Sequence, residues 1–107
     1  MSLSPEATSM VKELISTLAL QSETLVTAES ITAGGLSSAI TSVEGSSQIF
    51  LGAIVAYQNI VKANVLGVDQ SIIDKYTVYS QEVAVAMAQA VREKFGATWA
   101  IATTGVA

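Results

Sequence analysis

Apolar residues recur at three- and four-residue spacing near the start of the chain and in short unbroken runs further on. Ser4-Pro5-Glu6 carries the marks of a helix start: a Ser cap, Pro at the first helical position and an acid in the first turn. Ala7, Met10, Val11, Leu14, Ile15 and Leu18 then form one apolar helix face, closed by Gln21-Ser22-Glu23. Thr24–Ala28 is short and rich in β-formers and predicts a buried strand. Ser30 to Gly35 is a turn of small residues, and Leu36 to Val43 a helix with Leu36, Ala39, Ile40 and Val43 on one face. Gly45-Ser46-Ser47 breaks it. Ile49–Tyr57 is apolar on both faces, as a central strand is.

Asn59 to Leu66 predicts a short helix ended by Gly67, and Asp69 caps another through Tyr76. Ser80 opens a longer helix through Phe95, with Val83, Met87, Val91 and Phe95 every four residues and Gly96 at its end. Met10 and Met87 both fall on faces expected in the core. Thr98–Thr103 is the last strand, with Trp99 packed in or beside it. Strands alternating with helices predict one α/β domain over residues 1–107, with helices on both sides of a sheet. Three strands make a narrow sheet for that many helices. The expectation is a domain lacking its C-terminal part, or a partner that completes the sheet.

Composition narrows the chemistry. Half of the residues are hydrophobic and only 13% are charged, which excludes a disordered chain. The net charge is −4 and Arg92 is the sole arginine, so the clustered cations of a nucleic-acid interface are missing. There is no Cys and no His. Thiolate nucleophiles, Cys- and His-based metal sites and the Ser-His-Asp triad are therefore excluded from these residues. A hydrolytic base here must be Lys, a carboxylate, Tyr or an amine. No apolar run has the length of a bilayer span, and the N-terminus lacks a basic segment followed by an apolar one. A cytoplasmic protein without membrane or nucleic-acid partners is expected.

Two segments hold candidate chemistry. Glu29-Ser30-Ile31-Thr32-Ala33-Gly34-Gly35 follows a strand and opens a helix, where ligands gather in open α/β sheets. It lacks the Lys and Gly spacing of a phosphate loop and the GxSxG pattern of a nucleophile elbow, and by spacing alone the favoured reading is a glycine-eased turn with a capping hydroxyl. Tyr57, Asn59 and Lys62 follow the next strand. Lys62 stands among Ile60, Val61, Ala63 and Val65, where desolvation would lower its pKa and fit it to act as a base. A lysine snorkelling to water is the plainer alternative. Gly45-Ser46-Ser47 offers N–H and hydroxyl groups to a phosphate, or is a simple loop.

Taken in order, Ala28-Glu29-Ser30-x-Thr32-x-Gly34, Gly45-Ser46-Ser47, Val55-x-Tyr57-x-Asn59-x-x-Lys62, Leu66-Gly67-Val68, Val78-x-Ser80-x-Glu82-Val83-Ala84-x-x-Met87-Ala88 and Thr104-Gly105-Val106-Ala107 resemble the C-terminal domain of CinA-type competence/damage-inducible proteins, from about Thr8 to Ala107. That family includes the stand-alone nicotinamide-nucleotide amidases. The resemblance implies a three-layer α/β/α sandwich that continues past Ala107 by roughly a third of a domain. It implies hydrolysis of nicotinamide mononucleotide to nicotinate mononucleotide and ammonia, with no cofactor and no metal. Carried over by position, Ser30 is the nucleophile, Lys62 the base, and Tyr57 the group that orients Lys62 or relays its proton. Glu29, Thr32, Gly34, Ser46, Asn59, Thr104 and Gly105 fall at substrate-binding positions. The implied partners are a pyridine nucleotide and a second copy of the chain in a homo-oligomer, a dimer. Ile31 departs from the family's usual Cys, and Ala33 from its common Gly. The alternatives are a non-catalytic regulatory or interaction domain of a competence/damage-inducible protein, and a bare nucleotide-binding module.

Overall fold

The computed structural model describes residues 3–106, so Ala107, the last residue of the final motif, lies outside the described residues. Helix α1 (Pro5–Leu20) starts where its cap predicts, with the Ala7 N–H donating to Ser4 Oγ at 3.1 Å. Strand β1 (Leu25–Glu29) is buried at all five positions. A short helix α2 (Gly35–Thr41) and a 3₁₀ turn (Ser46–Gln48) lead into β2 (Phe50–Val55). One helical turn, α3 (Asn59–Val61), widens into a π turn over Lys62–Leu66. Helices α4 (Gln70–Tyr76) and α5 (Gln81–Phe95) precede β3 (Trp99–Thr103). Among the described residues, no helix is long and apolar enough to cross a membrane.

The three strands form one parallel sheet in the order β2-β1-β3. This corrects the expectation that Ile49–Tyr57 is the central strand. The chain leaves β1 through α2 to place β2 on one side, then returns through α5 to place β3 on the other. Only β1 therefore has a strand on each flank, and β2 is an edge with Leu51 and Val55 half exposed. Its apolar character has another cause at Gly52. The Phe95 ring lies so close that a Cβ there would stand 3.1 Å from it. Phe95 thus ends the α5 stripe by covering β2, while Val83, Met87 and Val91 are fully buried.

Side chains of β1 alternate between two cores, as strand geometry requires. Val26 and Ala28 join Leu66, Val68, Ile73 and the α5 stripe on one face. Leu25 joins Ile15, Leu18, Ile40, Val43 and Ile49 on the other. Helices on both faces of the sheet make the three-layer α/β/α arrangement. Met10 does not join either core and is 70% exposed. Only the stripe ending in Ile15 and Leu18 meets the sheet, with Val11 and Leu14 at its margin, and Met10 lies to the solvent side of that stripe.

Candidate active site

Sheet hydrogen bonding continues past the strand ends and brings three loops together. The Ala56 N–H donates to the Glu29 carbonyl at 2.7 Å, and the Ser30 N–H donates to the Thr103 carbonyl at 3.0 Å. Ser30, Ile31, Tyr57, Gly105 and Val106 consequently line a hollow of about 220 Å³ at the carboxyl ends of all three strands. β1 is where the strand order reverses, the place where open α/β sheets bind ligands. A larger hollow of about 420 Å³ runs along α4 and α5, bordered by Ile72, Tyr76, Glu82 and Val85. Its lining has no serine, whereas the smaller one presents Ser30, so the smaller one is the candidate for chemistry.

Ser30 and Lys62 meet on a single atom. Ser30 Oγ donates to the Tyr57 carbonyl oxygen at 3.2 Å, and Lys62 Nζ donates to the same oxygen at 2.8 Å. Both residues are buried, Lys62 to 1% exposure. Desolvation holds the Lys62 pKa below the ordinary lysine value. The π turn begins at Lys62, whose carbonyl accepts the N–H groups of both Gly67 and Val68. Gly67 adopts φ 93°, which the closing of this turn requires and which side chains disfavour. The group of Tyr57 that reaches Lys62 is its carbonyl. The ring is 55% exposed and lines the hollow.

Glu29 is fully buried, and both of its oxygens are occupied by protein donors. Oε1 accepts from Thr32 Oγ1 at 2.5 Å, Gly34 N–H at 3.2 Å and Leu36 N–H at 2.8 Å; Oε2 accepts from Ser37 N–H at 2.9 Å and from Ser37 Oγ. Ala33 at φ 48° and Gly34 at φ 100° reverse the chain so that these N–H groups point back at the carboxylate. Desolvation alone would raise its pKa, but the bonds from Ser37, Thr32 and Leu36 outweigh it and leave the pKa lowered.

An ionised acceptor also fixes the direction of the neighbouring hydroxyls. Thr32 and Ser37 give their protons to Glu29, so Thr103 must donate to Thr32 (2.8 Å) and Thr27 to Ser37 (2.7 Å). The Thr103 oxygen is then left to accept the Ser30 N–H at 3.3 Å. The carboxylate thereby ties the exits of β1 and β3 to Ser30. Among the described residues, the N–H groups of Ile31 and Thr32 bond no protein acceptor.

The remaining candidates divide. Gly105 lines the hollow, Gly34 shapes the turn, and exposed Asn59 opens α3 beside Tyr57. Thr104 Oγ1 donates to the Val78 carbonyl at 3.0 Å, joining the β3 exit to the loop before α5. Ser46 is not brought to the site. It precedes β2, and in a parallel sheet the residues that enter a strand lie at the edge opposite those that leave it. Sequence reasoning missed Thr103 and Ser37, whose roles depend on contacts across 71 and 8 positions. It also missed Val106 in the wall of the hollow. The adjacent threonines at the end of β3 were the one local signal for Thr103.

A family model described as the CinA C-terminal domain matches residues 7–107. A CinA-like protein of Prochlorococcus marinus (strain MIT 9312) is 51% identical over 94 residues, which span 88% of this chain and 22% of that protein. One of Rippkaea orientalis is 47% identical over 92 residues, 86% of this chain and 22% of that protein. Among solved structures, a CinA superfamily protein from Escherichia coli superposes with a TM-score of 0.87 at 28% identity, over 95% of this chain and 60% of that one. A competence/damage inducible protein from Agrobacterium tumefaciens gives 0.87 at 28% identity, over 99% and 65%. The chain thus spans about a fifth of the length of the curated relatives.

Proposed function

The chain belongs to the CinA C-terminal domain family, and from that premise we propose that its hollow is the acyl-transfer site of an amidohydrolase that converts nicotinamide mononucleotide to nicotinate mononucleotide and ammonia. The observation that supports this reading is the convergence of Ser30 Oγ and Lys62 Nζ on the Tyr57 carbonyl at the edge of the hollow. A domain with neither His nor Cys still activates a serine if a lysine beside it is neutral. Burial favours that condition at Lys62, because desolvation lowers its pKa.

In the proposed reaction, Ser30 turns its hydroxyl from the Tyr57 carbonyl to Nζ, which takes the proton. Oγ bonds the carboxamide carbon, and the carbonyl oxygen gains negative charge. The free N–H groups of Ile31 and Thr32 stabilise that oxyanion. The C–N bond then breaks, and nitrogen leaves as ammonia with the proton that Lys62 returns. Water next attacks the acyl-serine, again giving its proton to Lys62. The carboxylate product departs and Ser30 regains its proton. The half-exposed Tyr57 ring offers the pyridine a face to stack on. The ligand is thus taken to be a pyridine nucleotide, handled in the cytoplasm.

The experiment is ammonia release from nicotinamide mononucleotide, measured on this chain and on the chain extended to the length of the solved relatives. Ser30→Ala removes one oxygen and is expected to abolish release while leaving the circular dichroism spectrum unchanged. Release by the Ser30→Ala protein at the unsubstituted rate would overturn the reading, and so would the absence of release from the extended chain. The latter result would favour a regulatory domain.

A further inference from the structure

Ile31 and Gly105 meet in the lining of the hollow, coming from the exits of different strands. A Cβ added at Gly105 would stand 3.1 Å from Ile31 Cδ1 and 3.7 Å from its Cβ and Cγ2. The isoleucine side chain therefore lies flat on the glycine backbone. Gly105 is not among the residues with positive φ, so space rather than backbone conformation is what asks for a glycine there. Ile31 directly follows Ser30, and its N–H faces no protein acceptor among the described residues. A carbonyl attacked by Ser30 thus has the Ile31 side chain as its neighbour on the β3 side. The hollow, at about 220 Å³, is below the usual size of drug-like ligand pockets, ~300–1,000 Å³, and suits a single small ring.

We infer that Ile31 and Gly105 form a size filter that admits planar aromatic carboxamides whose ring carbons beside the amide are unsubstituted; this rests on the amidohydrolase reading. The Ile31 atom that comes nearest to a side chain placed at 105 is Cδ1. An alanine at 105 would push it away from β3 and into the hollow. A valine at 31 lacks it altogether and keeps Cβ and Cγ2, which would stand at ordinary contact distance from a Cβ at 105.

The test uses the extended chain with nicotinamide mononucleotide and an analogue methylated on a ring carbon next to the carboxamide. Ile31→Val is expected to lower the preference for the unmethylated substrate about fourfold, the worth of one buried methylene. Gly105→Ala is expected to raise that preference, and Ile31→Val in the same chain to restore it, as a coupled pair must. Melting temperatures of the variants separate this from loss of fold. Equal effects on both substrates, or no recovery in the double variant, would overturn the filter. If the unsubstituted protein releases no ammonia, the amidase reading falls. The filter is then read from the rates at which a small alkyl and a bulky aryl fluorophosphonate modify Ser30. A ratio unchanged by Ile31→Val, or no modification by either probe, counts against it.

Discussion

Lys62 carries a stability cost that the proposed role as a base would account for. An ammonium buried without a charged partner is costly, and here desolvation is the cause of its lowered pKa. Between that lowered value and the ordinary 10.5, the unfolded chain holds a proton that the folded chain lacks. Stability therefore rises with pH through this window. Lys62→Met is expected to abolish turnover, to raise the melting temperature at neutral pH by about 4–8 °C for each kcal/mol regained, and to remove the rise. Calorimetry across alkaline pH checks it. With the lysine present, kcat/KM should also rise with pH through an ionisation below the usual lysine range. Glu29 gives a rise of the same sign at acid pH, but there folding favours the charged form instead of penalising it. Its lowered pKa contributes stability that is present above 4.5 and is lost as pH falls through the folded value. A Gln amide at 29 would have to set its NH₂ against a donor on either side. Glu29→Gln is expected to cost about 1–3 kcal/mol and to flatten acid unfolding, measured by urea titration at several pH values.

At the scale of elements, the caps were legible because they are local. Ser4, Asp69 and Ser80 each accept an N–H two or three residues ahead, and Gly67 and Gly96 close their helices with left-handed φ. The π turn was not legible. Nothing in Lys62–Leu66 distinguishes it from an ordinary helical turn until Gly67 and Val68 both bond the Lys62 carbonyl. Gly67→Ala is therefore expected to cost about 1–2 kcal/mol, the penalty of a side chain in the left-handed region. It should also lower kcat more than it raises KM, since the strained turn carries Lys62. Denaturant unfolding and steady-state rates together check this.

At the scale of the whole molecule, the two edges of the sheet carry exposed apolar residues. Trp99 is 54% exposed and Ile101 40%, beside a hollow of about 300 Å³ lined by Leu14, Leu18 and Leu25. An uncovered strand edge with apolar side chains promotes association. Light scattering of this chain is expected to give a mass above that of a monomer. The pair Trp99→Lys and Ile101→Lys should return it to a monomer without lowering its melting temperature. A monomer before substitution would count against the expected dimer.

The sequence by itself determined the elements and their caps, the α/β class, and the chemistry open to a chain without His or Cys, because these follow from periodicity, local hydrogen bonding and the side chains available. It marked Ser30 and Lys62 by their motifs, but neither their shared acceptor nor the atom of Tyr57 that provides it. Tertiary structure decided that β1 and not β2 is central, because strand order depends on which way each crossover passes. It decided that Ser46 lies at the far edge and that Met10 faces solvent. It also decided that Glu29 directs the hydroxyls of Thr32, Thr103, Ser37 and Thr27. That network joins residues far apart in the chain, and a direction of proton donation exists only once the donors surround the charge.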